Sequence, residues 1–168
     1  MTAGPTSPEA RVRRARITLV ATVVIVAALD LGLKTWAGRT LNDGSSIDLG
    51  PLNLRLAFNP GVAFSFGDTL PPAALLGVTG VIVVGLAVFA VRVTRTAALP
   101  VVLALAAMLG GAVANVIDRA ADGLVTDYLH TGWFPTFNLA GVFVVTGAAA
   151  LVVASWRTSN TADMKTHA

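Results

Sequence analysis

The stretch DYLHTGWFPTFNLAG, residues 127–141, sets a carboxylate, an imidazole, aromatic rings, a proline and an asparagine just where the chain re-enters an apolar run. This is the make-up of a site rather than of a plain connection. What chemistry it could do is narrowed by what the chain lacks. There are no cysteines, which excludes disulfides, thiolate metal sites and cysteine nucleophiles. Two histidines, one of them in the tail, do not make a histidine-based metal site. Carboxylates and amides remain. Asp118 stands beside Arg119 and so has an obvious partner, whereas Asp127 has no basic residue close in sequence except His130. Asn138 opens the apolar run that follows, and its amide would be costly in lipid unless it meets another polar group.

These residues need elements to hold them, and the composition says which kind. Of the 168 residues, 55% are apolar and 12% charged, where a soluble domain carries about twice that share of charge. The apolar residues come in blocks near the roughly 20 residues that a bilayer core demands. The chain therefore reads as a multi-pass membrane protein with spans over residues 17–37, 73–91, 97–117 and 136–156. Residues 1–16 and 157–168 read as tails. Only RVTRT separates the second and third spans, so those two form a tight helical hairpin.

Lysine and arginine orient the spans. Arg11, Arg13, Arg14, Arg16, Arg92, Arg95, Arg157 and Lys165 fall on one side, and Lys34, Arg39, Arg55 and Arg119 on the other. The positive-inside rule places both termini in the cytoplasm. Basic residues beside apolar blocks act as orientation signals, so the net charge of +3 does not imply a nucleic-acid partner. A basic start before an apolar run could also be a cleavable signal peptide, but three further spans and no convincing small-residue cleavage site make that the poorer reading. In the first outer loop, PLNLRLAFNPG alternates Leu52, Leu54, Leu56 and Phe58 with Asn53, Arg55, Ala57 and Asn59. That period of two predicts a half-buried strand, ended by turn chemistry at Asn59-Pro60-Gly61. The fold class expected is an all-α membrane protein of four helices with a small extracytoplasmic β element in that loop.

On this frame the polar residues gather at one depth. Asp30 lies about 20 Å along the first helix from Ile17, near the outer edge of the hydrocarbon. Lys34 follows one turn later in the favourable acid-before-base order, and the pair reads as a structural ion pair. Gly110 and Ala114, at small-xxx-small spacing, predict close helix packing. Asn115, Asp118 and Arg119 occupy the outer-end turns of the third helix. With Asn59, Asp127 and Asn138, these residues converge where a bundle meets an extracytoplasmic sheet. Interhelical hydrogen bonds alone could account for them, but polar groups concentrated at one depth favour a site.

The blocks resemble lipoprotein signal peptidase, also called signal peptidase II. Asp30-x-x-x-Lys34 is similar to the family's first-span motif, with Leu31 where Gln is common. NPGVAFSF (59–66) is similar to Asn-x-Gly-x-Ala-Phe-Ser. GGAVANVIDR (110–119) is similar to Gly-Gly-Ala-x-Gly-Asn-x-x-Asp-Arg, with Ala114 for a glycine. GLVTDY (123–128) is similar to Gly-x-Val-Val-Asp-Phe, and FPTFNLAG (134–141) to Phe-Pro-x-Phe-Asn-x-Ala-Asp until its last residue.

The resemblance implies a bacterial plasma-membrane aspartic endopeptidase, expected to act as a monomer within membrane lipid and without metal or organic cofactor. It would cut the signal peptide of a diacylglyceryl-modified prolipoprotein before the lipidated cysteine. The implied chemistry uses two aspartates that share one proton, because like charges held close cannot both ionise. The first maps to Asp127. The second maps to position 141, which here is Gly141. Asn59, Asn115, Arg119 and Asn138 map to polar residues lining the family's substrate pocket, and Asp118 to a structural position, salt-bridged to Arg119. With glycine at 141, the alternatives are a non-catalytic prolipoprotein-binding member of the family and an unrelated small transporter or scaffold. The spans lack the inverted repeat of broken helices that a transporter would bring.

Overall fold

The computed structural model describes residues 7–61 and 70–166, with side chains as far as Arg157. Helix α1 (Pro8–Thr40) is followed by strands β1 (Ser46–Asp48) and β2 (Asn53–Asn59). Helices α2 (Pro72–Val93) and α3 (Leu99–Asp122), strand β3 (Val125–His130) and helix α4 (Leu139–Thr166) complete the chain. All four helices are long and apolar enough to cross a membrane. The 22 residues of α2 extend about 33 Å at the helical rise, which covers a hydrocarbon core of about 30 Å. Their outward faces carry Val81, Val84, Val145 and Val152, all largely exposed. Such a surface is stable only against lipid, where burial brings no hydrophobic gain and close packing must hold helices together.

That packing centres on α3, which lies against each of the other three helices. Glycines set the distance. A Cβ at Gly110 would come within 2.8 Å of Val26 Cβ on α1. One at Gly111 would come within 2.4 Å of the Ala140 carbonyl oxygen, and one at Gly147 within 2.7 Å of that of Ala104. The close approach predicted from Gly110 and Ala114 is therefore present between α1 and α3. Its counterparts Gly111 and Gly147, which draw α4 onto α3, are not apparent from that spacing. Leu19, Val102, Leu105, Ala106 and Leu109 fill the interior nearer the end that holds the chain termini.

The strand predicted over residues 52–59 is β2, but the β element is larger than the first outer loop provides. Three antiparallel strands lie in the order β1-β2-β3, and β3 comes from the segment after α3. The missing signal is periodicity. In VTDYLH both Asp127 and Tyr128 are buried, because the strand is covered on both faces where it crosses the end of the bundle. A register shift between Leu54 and Ala57 also breaks the alternation of β2. Leu54 and Leu56 pack against Ala37, Leu41 and Tyr128, whereas Phe58 is left 54% exposed.

The helix limits differ from the hydropathy reading at both ends of the chain. Helix α1 begins at Pro8, capped by the Ser7 side chain, which accepts from the Ala10 amide. Helix α4 begins at Leu139 rather than Thr136, since residues 131–138 form the return from β3. It continues past Trp156 to Thr166. Residues 62–66 of the NPGVAFSF block lie outside the described residues.

Candidate active site

The polar residues meet at the end of the bundle beneath the sheet, in two connected groups. The first is an ion network between helices. Lys34 Nζ stands 3.0 Å from Asp30 Oδ2 and 3.0 Å from Asp118 Oδ2, and it donates to Asn115 Oδ1 at 2.7 Å. Asp30 is fully buried. A carboxylate in such a place requires a cation and hydrogen-bond donors to offset its lost hydration, and Lys34 from the next turn supplies the charge. The expectation that Asp118 pairs with Arg119 is corrected here. Adjacent residues on a helix point about 100° apart, and Asp118 turns to Lys34 and to Thr126. It accepts from the Thr126 amide at 2.7 Å and the Thr126 hydroxyl at 3.3 Å. Arg119 still feels the Asp118 charge but makes no close ion pair with it, and donates through Nη2 to the Gly61 carbonyl oxygen. Asn115, expected in the pocket, gives its carbonyl to the network.

The second group surrounds Asp127. This residue sits on β3 opposite Ala57 of β2 and is 5% exposed. Asn138 Nδ2 donates to Asp127 Oδ1 at 2.6 Å, and the Asn59 side chain also hydrogen-bonds it. Each asparagine is held by a local turn. The Asn59 carbonyl accepts from the Gly61 amide at 2.9 Å, and that of Asn138 from the Gly141 amide at 2.7 Å. Asn138 is thus the N-cap of α4, and its other end aims the carboxylate. Gly123, in the left-handed conformation at φ 88°, ends α3 and turns the chain directly into β3. His130, the one basic neighbour close in sequence, faces Thr136 instead, at 3.2 Å.

Burial pushes the Asp127 carboxyl up from 3.8 to about 6. The hydrogen bonds from Asn59 and Asn138 and the charge of Lys34 oppose that rise, and Asp118 adds to it. Arg119 and Tyr128 also interact electrostatically with Asp127. At neutral pH the group is mostly ionised. A carboxyl whose folded pKa lies above its unfolded value is bound to its proton more tightly in the folded chain. Its ionisation therefore costs stability as pH rises from about 4 to about 6. Thermal unfolding in detergent should show Asp127→Asn gaining on the parent chain across that window, with the gain complete at neutral pH. A difference that does not change with pH would contradict the assigned burial cost.

Position 141 lies in the first turn of α4 and is linked to this carboxylate through Asn138. Among the described residues, a Cβ built there meets only Asn138 Oδ1, at 3.4 Å, so none of them requires glycine by close packing. Its φ is not in the left-handed region, so the backbone does not require it either. Among the described residues no cluster of His, Asp and Glu forms a metal-binding set.

Two participants were not found from sequence. Thr126 anchors β3 to Asp118, and Tyr128 OH donates to Asp30 Oδ1 at 3.1 Å. The tyrosine was detectable as a departure, since phenylalanine follows the aspartate in the motif that the chain resembles.

Residues 22–157 match the family described as signal peptidase (SPase) II. The chain is 33% identical to the lipoprotein signal peptidase of Rhodococcus jostii, over 89% of this chain and 78% of that protein. It is 32% identical to that of Hydrogenovibrio crunogenus, over 90% and 92%. A solved bacterial membrane enzyme superimposes with a TM-score of 0.73 at 26% identity, over 85% of this chain and 90% of the other. The match over residues 22–157 and the identity of about a third to these relatives place the chain in the signal peptidase II family of lipoprotein signal peptidases.

Proposed function

We propose that the chain binds diacylglyceryl-modified prolipoprotein from the membrane and sets the bond before the lipidated cysteine against Asp127. As the sequence stands, Asp127 is one acid of an aspartic pair whose second member is absent at Gly141, and cleavage is correspondingly slow. The observation that carries this reading is the Asp127 carboxylate held by Asn138, the residue whose carbonyl also fixes the amide of the open position 141. Asn59 and Asn138 orient Asp127. Arg119, already on the Gly61 carbonyl, marks the side from which an extended peptide backbone would be held.

Asp118 does not supply the second acid. Both its oxygens are taken by Lys34 and Thr126, and it lies on α3 rather than on α4. The test is cleavage of a diacylglyceryl-modified prolipoprotein by the purified chain beside its Gly141→Asp variant. Cleavage that appears only in the variant supports the reading, and equal rates would mean that the second carboxyl comes from elsewhere. A chain that neither binds nor cuts that substrate in either form would overturn it.

The site faces outward from a bacterial plasma membrane in this reading, with both termini in the cytoplasm and the protein acting as a monomer. Cysteines placed at Thr40 and Thr96, exposed positions at opposite ends of the bundle, should react with an impermeant reagent from opposite sides. Thr94, two residues earlier, is buried and would label poorly. Same-side labelling would refute the topology.

A further inference from the structure

The Tyr128 ring is buried against Ala37 and Leu41, a role phenylalanine would fill equally well. The hydroxyl needs another explanation. It donates to Asp30 Oδ1 at 3.1 Å and accepts from the Leu139 amide at 3.2 Å. The same Asp30 oxygen accepts from the Ala140 amide at 2.9 Å. The Gly141 amide goes to Asn138 Oδ1. The first amides of a helix have no partner within the helix, so the groups that take them decide where it begins. At α4 the Leu139, Ala140 and Gly141 amides are answered in turn by Tyr128, Asp30 and Asn138. Tyr128 is the residue after Asp127, Asp30 belongs to α1, and Asn138 holds Asp127 itself.

We infer that Tyr128 is a positioning residue. Its hydroxyl, bridging Asp30 and the Leu139 amide, sets the offset between Asp127 on β3 and position 141 on α4. The inference rests on the reading of 127 and 141 as the two acid positions. The hydroxyl does not act on substrate, because its proton is given to Asp30 and it also accepts from Leu139. What it controls is the seat of the first turn of α4. Without it the Leu139 amide loses its acceptor, Asp30 loses a donor, and the turn can shift along β3 while the ring keeps its packing.

Tyr128→Phe removes this one oxygen. In the Gly141→Asp chain, a displacement approaching 1 Å at position 141 should lower kcat for prolipoprotein cleavage by about 10- to 100-fold. KM should stay within about twofold, because Arg119 and Asn59 are untouched and binding that is uniform along the reaction is unaffected. A second measurement needs no activity. In the parent chain, amide hydrogen exchange at Leu139, Ala140 and Gly141 should quicken by about tenfold in Tyr128→Phe, the scale of one lost hydrogen bond. Amides of β2 and α2 should keep their rates. Unchanged exchange at the three amides would overturn the inference, as would an even quickening throughout the chain, which describes a merely structural residue. So would a kcat and KM that match the Tyr128 chain. If the Gly141→Asp chain does not cleave at all, the proposed function fails, and the exchange measurement still decides for or against Tyr128.

Discussion

Gly141→Asp should raise the rate of prolipoprotein cleavage by about 10³- to 10⁴-fold, the scale on which loss of one member of a cooperating catalytic set is felt. Asp127 alone can take a proton from water, since it is mostly ionised above about pH 6. It cannot at the same time donate one to the scissile carbonyl or to the departing amine. A second carboxyl beside it changes the electrostatics of both groups. Two acids in contact cannot both ionise, so the pair keeps one proton available at the pH where the other is a base. Among the described residues a Cβ at 141 meets only Asn138 Oδ1, at 3.4 Å, so none of them blocks the group. In that variant Asp127→Asn should return the rate to background. Asp122→Asn should leave it unchanged, for Asp122 is exposed at the end of α3 and accepts from the Leu124 amide. Equal effects of the two substitutions would remove Asp127 from its assigned role.

The largest effect on stability is expected at Lys34. The residue is 4% exposed, and its ammonium serves Asp30, Asp118 and Asn115 together. Lys34→Met leaves the Asp30 carboxylate with no cation, and breaking a buried pair from one side costs about 3–5 kcal/mol. In a chain of this size that corresponds to a fall in unfolding temperature of roughly 10 °C or more. Replacing the charge on both sides, as in Asp30→Asn with Lys34→Met, should recover a large part of the loss, because no buried charge is then stranded. Thermal unfolding in one detergent compares the three chains directly. A single Lys34→Met variant as stable as the parent would show that the ion network contributes nothing to the fold.

Much of this arrangement was legible in the sequence. Four apolar blocks gave four helices, because in lipid a long apolar segment must satisfy its own backbone and the helix does so. Asp30 and Lys34 were readable as a pair from their spacing alone. The strand before Asn59 was readable from its alternation. What escaped was whatever depends on contact between distant segments. β3 carries no period, since it is buried on both sides, and its place in the sheet is decided by β2. Asp118 and Arg119 are neighbours in sequence and interact electrostatically, but the close ion pair of Asp118 is with Lys34, which proximity along the chain did not suggest. Lys34 lies far from Asp127 in sequence, yet its charge acts on that carboxyl. The threonine and tyrosine of VTDYLH read as ordinary strand formers until Asp118 and Asp30 are placed beside them.

Gly111 carries no functional group. Yet the first atom of any side chain there would press to 2.4 Å on the carbonyl of Ala140, the residue immediately before position 141. Lifting that carbonyl would also pull the Ala140 amide from Asp30. The mute face of α3 therefore works as a gauge block, and its thickness is transmitted to the first turn of α4 without passing through any charge or hydrogen bond of its own.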